Sequence, residues 1–155
     1  MTTPYTLHRE TIVEAPVSLV FDFFSKVENL ERITPPWLHF RVLTPPPIEM
    51  TPGATIAYKL RMRGIPLRWL TGIERWDPPF EFVDVQLKGP YKLWRHTHRF
   101  AAAEGGTRMM DLVEYALPFG PVGRLVHRLQ VARDIAAIFD YRAERIRATF
   151  GGAKA

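Results

Sequence analysis

The sequence predicts an α+β domain in which a curved, seven-stranded antiparallel sheet wraps around one long C-terminal helix, in the order β-α-α-β6-α. Three observations carry that expectation. The middle of the chain is a series of apolar-alternating segments cut by Pro and Gly into strands with short links, which implies antiparallel neighbours. Two short apolar stretches with helical spacing stand between the first strand and that series. The last part of the chain, after Pro121, contains no proline and repeats apolar residues at steps of three and four. A length of 155 residues without an internal repeat fits one domain over 1–155, large enough to bury a core.

Tyr5 to Glu14 reads as a strand, with Leu7, Thr11 and Val13 at even spacing. A helix over Pro16 to Ser25 follows, because proline suits a first helical turn and Val17, Val20, Phe21 and Phe24 share a face. A second short helix near Val27 to Ile33 is stopped by Pro35-Pro36. Trp37 to Leu43 is the next expected strand, followed by the turn-rich Thr44 to Gly53. Ala54 to Arg63 alternates Ile56, Tyr58, Leu60 and Met62 with Lys59, Arg61 and Arg63, a half-buried pattern. Leu67 to Trp76 ends at Asp77-Pro78-Pro79, Phe80 to Lys88 ends at Gly89-Pro90, and Tyr91 to Ala102 follows. Glu104-Gly105-Gly106-Thr107 is a hairpin turn leading into Arg108 to Leu117.

The closing helix is expected from Val122 to Phe150, roughly 40 Å at 1.5 Å per residue, with Gly151-Gly152 as its stop. Leu125, Leu129, Ala132, Ala136, Phe139, Ala143, Ile146 and Phe150 form its inward stripe, broadened by Val122, Val126, Ile135 and Ile138. The three alanines in that stripe leave room between helix and sheet. Large sheet residues such as Trp69, Trp94 and Phe100 would otherwise fill it.

Composition narrows function by exclusion. The chain has no cysteine, which removes disulfides, a thiol nucleophile and thiolate metal ligands. No stretch reaches the 18 or so apolar residues of a membrane span, and the N-terminus lacks the build of a signal peptide, so a cytoplasmic protein is expected. The net charge of +5 rests on 21 cations against 16 acids, spread without a run, so nucleic acid is not an expected partner. A basic module for RNA or an anionic membrane remains a third reading. No phosphate-binding glycine loop is present, and the only serines are Ser18 and Ser25. No cofactor is expected, and oligomeric state stays open.

Chemistry concentrates on the last two strands. If Gly105-Gly106 is a two-residue turn, Glu104 faces Thr107, and His98 faces Val113, His96 faces Tyr115 and Phe100 faces Asp111. Alternation then puts Trp94, His96, His98, Phe100, Asp111, Val113 and Tyr115 on one inward face. The preceding strand has two readings. Val83, Val85 and Leu87 form its inward row, or simple pairing across Gly89-Pro90 puts Asp84 and Gln86 beside His96 and Trp94. His96-x-His98 with Asp111 also has metal-ligand types, but with no further histidine nearby the expected metal is none.

The chain resembles the START and birch-pollen-allergen superfamily, the SRPBCC or helix-grip proteins, and within it a bacterial ligand-binding branch labelled polyketide cyclase/dehydrase-like. The resemblance rests on Val13-Glu14-Ala15-Pro16, Val20-Phe21 and Asn29-Leu30 through Ile33-Thr34-Pro35-Pro36. It continues in Gly89-Pro90-Tyr91, Trp94-x-His96-x-His98-x-Phe100, Gly106-Thr107, Asp111-x-Val113-x-Tyr115-x-Leu117-Pro118-x-Gly120 and Phe139-Asp140-Tyr141-Arg142. It implies a helix-grip fold and a hydrophobic or amphipathic small molecule as partner: a polyketide-like aromatic, an isoprenoid, an acyl chain or a sterol-like lipid. Trp69, Trp94, Phe100, Val113, Ala136 and Phe139 are the expected apolar ligand contacts. His96, His98, Asp111 and Tyr115 are expected to orient polar groups, or to act as acid and base if the same pocket is a cyclase or dehydratase site. Arg142 is expected at the surface with its stem packed.

Overall fold

A computed structural model describes residues 4–150. Seven strands form one antiparallel sheet in the order β1-β7-β6-β5-β4-β3-β2. They are β1 (Tyr5–Val13), β2 (Arg41–Val42), β3 (Thr55–Met62), β4 (Ile65–Asp77), β5 (Glu81–Lys88), β6 (Leu93–Ala103) and β7 (Gly106–Ala116). Helices α1 (Val17–Ser25) and α2 (Leu30–Ile33) lie between β1 and β2; α3 (Gly120–Val126) and α4 (Ala132–Phe150) close the chain. Among the described residues no helix is long and apolar enough to cross a membrane.

The expected elements are present, with three corrections. The strand expected from Trp37 to Leu43 shrinks to Arg41–Val42, because Pro35-Pro36 starts a 3-10 turn over Pro36–Leu38 and His39 then takes φ 47°. The long helix runs without a gap from Gly120 to Phe150, but not as α-helix throughout: its stretch His127–Val131, between α3 and α4, is π-helical. Its inward stripe begins later than expected. Ile135, Phe139 and Ile146 are buried, whereas Val122, Leu125, Val126 and Leu129 are exposed, since the first turns run beyond the sheet. The Gly151-Gly152 stop lies outside the described residues.

The β6–β7 hairpin turns at Glu104-Gly105, with Ala103 paired to Gly106. The register is therefore shifted two residues from the expected one: His98 faces Asp111, His96 faces Val113, Trp94 faces Tyr115 and Phe100 faces Met109. A shift of two keeps every side chain on its expected face, because the strand period is two. Gly106 sits at φ 150°, and a Cβ there would run into the Val13 carbonyl oxygen. That close approach holds the end of β1 against β7. Gly106→Ala is expected to destabilise the fold by about 2–3 kcal/mol, read as a lower urea midpoint at unchanged slope.

The core divides into three clusters. One packs α1 (Val20, Phe21, Phe24) on Phe82, Phe100 and Met109. A second joins Tyr91, Val113 and Tyr115 to Ile135 and Phe139 of α4. The third gathers Val27, Ile56, Tyr58 and Ile73. A concave sheet cannot press evenly on a straight helix, and the clusters leave a gap where they meet.

Candidate functional site

That gap is a cavity of about 190 Å³ between β3–β6 and α4. Its wall is mostly apolar: Ile56, Tyr58, Met62, Trp69, Trp94 and Phe139 are representative, with Ile135 and Ile138 from the helix. One end is polar, built by Asp84, His96, His98 and Arg142. The alanines expected to make this room are not on the wall. Ala132, Ala136 and Ala143 lie about a quarter turn round α4 from the Ile135–Phe139–Arg142 face.

Strand pairing assembles the polar end. Asp84 of β5 faces His96 and Phe82 faces His98, so the second of the two β5 registers is the one adopted. Bulges between Leu70 and Thr71 and between Ile73 and Arg75 of β4 accompany the sheet's curvature. Hydrogen bonds then run diagonally across the strands. His96 Nε2 lies 2.7 Å from Asp111 Oδ1, and His98 Nε2 lies 2.6 Å from Asp84 Oδ2. Phe82, His98 and His96 form a continuous ring stack, with centroids 4.0 and 3.6 Å apart. Arg142 reaches in from α4, with Nη2 3.4 Å from His98 Nδ1 and 3.5 Å from Asp111 Oδ1, its guanidinium over the Phe24 and Phe139 rings. Arg142 is thus a buried part of the site and not the expected surface residue: its side chain is only 11% exposed.

Electrostatics fix the protonation pattern. Burial pushes the Asp111 carboxyl up, but the Arg142 guanidinium and the His96 hydrogen bond outweigh it and hold Asp111 well below the usual carboxylate range. Burial likewise raises Asp84, and the hydrogen bond from His98 together with the electrostatic influence of His98, His96 and Arg142 brings it below its usual value. Burial, reinforced by neighbouring His96, lowers His98 to about 4 against the pull of Asp84, so its imidazole is neutral near pH 7. An ionised carboxylate only accepts, so both Nε2 atoms carry the proton. His98 Nδ1 accepts from Arg142.

Donor atoms of Asp84, His96 and His98 lie within 4.8 Å of one another. The two imidazoles are stacked, however, and each Nε2 is turned to its own carboxylate, an arrangement of hydrogen-bonded groups rather than of lone pairs converging on one ion.

The residues singled out in the sequence separate into groups. Trp69, Trp94, His96, His98 and Phe139 line the cavity. Asp111 stands behind His96 and holds it. Phe100 packs against α1, and Val113 is buried between β7 and α4, both off the wall. Tyr115 points elsewhere: its hydroxyl is 2.7 Å from His127 Nε2, and Tyr5 stacks on that imidazole at 3.5 Å. Asp84 was visible in the sequence only through one of two registers. Gln86 on the same face binds the Tyr91 backbone N–H and carbonyl, closing the β5–β6 connection.

A curved sheet closed on a helix around a mostly apolar cavity with one polar end defines a helix-grip domain. The sequence model of the family described as "Polyketide cyclase / dehydrase and lipid transport" matches residues 13–138, and the chain belongs to that family. No curated protein matches it significantly. Among solved structures it is similar to protein Ms6760 from Mycobacterium smegmatis, at 16% identity and TM-score 0.72 over 99% of both chains. It is also similar to Ara h 8.0201, at 15% identity and TM-score 0.63 over 94% of this chain and 99% of that one. A third likeness, at 26% identity and TM-score 0.69, is to a nucleoside-diphosphate sugar epimerase from Corynebacterium glutamicum. It covers 90% of this chain but 28% of that one.

Proposed function

We propose that this protein binds one small amphipathic molecule in the cavity, with its apolar body against Trp69, Trp94 and Phe139 and a neutral hydroxyl or carbonyl at the polar end. The observation that carries the reading is the composition of the wall: mostly apolar, with Asp84, His96, His98 and Arg142 converging at one end. A volume of about 190 Å³ favours a single substituted aromatic ring or a short acyl chain over a sterol, since about 150 Å³ accommodates benzene. The charge at the polar end favours a neutral head group. Asp84 and Asp111 are both ionised beside one guanidinium, so a ligand carboxylate would meet net negative charge. A hydroxyl can donate to Asp84 and accept from Arg142, both of which line the cavity.

Titration of the intrinsic fluorescence of Trp69 and Trp94 with 4-alkylphenols and the matching 4-alkylbenzoates checks this. The phenols are expected to bind about tenfold or more tightly than the benzoates. Preference for the benzoate would refute the polar-end assignment, and failure of both to saturate would refute the cavity reading.

One observation favours a second reading, an enzyme of cyclase or dehydratase type. His96 lines the cavity while the Asp111 carboxylate holds its Nε2, the carboxylate-oriented imidazole that acid–base catalysis uses. On that reading His96→Gln keeps binding within a few-fold and abolishes turnover of a ketide-like substrate. On the binding reading no ketide is turned over by the parent protein.

A further inference from the structure

The segment that begins the C-terminal helix carries apolar side chains the fold does not use. Phe119 is 82% exposed, Leu129 65%, Val122 63%, and Leu125 and Val126 are also exposed. At helical spacing Val122, Leu125, Val126 and Leu129 fall along one side of the segment, Phe119 precedes it at the N-cap, and Arg124 and Arg128 flank the ridge beside Leu125. Phe119 adds a backbone observation. It holds φ 70°, a left-handed conformation that bulky residues rarely adopt, and its carbonyl caps the first turn by accepting from Val122 and Gly123 N–H. The strain serves no packing, because the ring it presents stands in solvent; such outliers persist where function selects them.

Charge says what covers this surface. No acidic residue occurs from Tyr115 to Arg133, and none from Val85 to Trp94 on the adjoining β5–β6 connection. The two stretches meet where Lys92 N–H donates to the Ala116 carbonyl at 2.9 Å. Lys88, Lys92, Arg124 and Arg128 are exposed, and among the described residues none of them takes part in an ion pair. Cations that are scattered along the sequence are gathered by the fold at one end of the sheet. The nearby acid Asp134 is paired with Arg63, and a basic rim around an exposed apolar ridge is the signature of a surface that lies in a bilayer interface.

We propose that this end of the molecule docks onto an anionic lipid bilayer, with Phe119, Val122 and Leu129 inserted among the acyl chains and Lys88, Lys92, Arg124 and Arg128 at the head groups. RNA would use the cations but not the apolar ridge, and a second copy of the chain would meet the same positive charge.

Co-sedimentation with vesicles of phosphatidylcholine alone, and with roughly one third phosphatidylserine added, tests the docking. The protein is expected to bind the anionic vesicles, to release as salt rises, and to bind phosphatidylcholine weakly. Phe119→Ser with Leu129→Ser, and separately Arg124→Glu with Arg128→Glu, are each expected to lower partitioning about tenfold or more. All four positions are exposed and lie off the cavity wall, so circular dichroism and alkylphenol binding should match the parent. Absence of binding to anionic vesicles would overturn the proposal, as would binding that neither double variant changes. A dimer in sedimentation velocity that Phe119→Ser with Leu129→Ser dissolves, without vesicle binding, would replace it with self-association. A salt-sensitive RNA complex that survives that variant, again without vesicle binding, would replace it with nucleic-acid binding.

Discussion

Replacing Asp111 by Asn is expected to cost about 3–5 kcal/mol of unfolding free energy, a large part of the stability of a domain this size. The side chain is 4% exposed and stands between His96 and Arg142. Removing its charge takes away the buried guanidinium's closest carboxylate at 3.5 Å and leaves it a contact of 3.4 Å to the neutral His98 Nδ1. The effect is one of a lost buried charge pair and not of shape. Asp111→Asn combined with Arg142→Met should therefore recover much of what the single change loses. Urea unfolding of the parent, both single variants and the double variant measures this coupling. Additive losses would show that Asp111 and Arg142 do not act as a pair.

Acid is expected to destabilise the protein in two separate windows. His98 is lowered to about 4 in the folded protein and is near 6.5 when unfolded. Above pH 6.5 the group is neutral in both states and has no effect. As pH falls from 6.5 toward 4 the unfolded chain takes up a proton that the folded one refuses, and about 3 kcal/mol is lost. Asp84 and Asp111 act lower down, because both are depressed in the folded state. Their contribution is complete above the unfolded carboxylate value near 3.9 and disappears as pH falls below it. Unfolding free energy measured against pH should thus fall first between 6.5 and 4, then again below about 3.9. His98→Gln should flatten the upper window and leave the lower one. An unchanged upper window in that variant would assign the loss to another group.

Much of this architecture is legible without coordinates, for reasons particular residues show. The alternation in Ile56, Tyr58 and Leu60 identifies β3 because a half-buried strand has period two. The same period places His96, His98 and Asp111 on one face even though the turn is displaced, since Glu104-Gly105 and Gly105-Gly106 turns differ by two in paired positions. Alternation cannot say which residues touch: the expected His96–Tyr115 pairing gives way to His96–Val113. Asp84 is legible only as an alternative, because Val83 and Val85 make an equally good apolar row and register depends on the β5–β6 connection. One arginine among the four of α4 carries no sign of burial, so Arg142 becomes visible only when the helix is seated between Phe24 and His98. The exposed ridge of α3 has the reverse cause. An apolar stripe looks the same in sequence whether it meets a sheet or passes its edge, and the π-helical segment at His127–Val131 has no sequence pattern that announces it.

On the proposed function, the gap between the three core clusters holds a small molecule. Native mass spectrometry tests it most directly, on the protein as purified and after addition of a 4-alkylphenol, beside an Ile138→Trp variant that fills the cavity from the helix side. A one-to-one adduct is predicted for the parent, identifiable after solvent extraction, with none for Ile138→Trp although that variant remains folded. An adduct that Ile138→Trp retains in full would place the ligand elsewhere. No adduct in the parent, with or without the phenol, would contradict the claim.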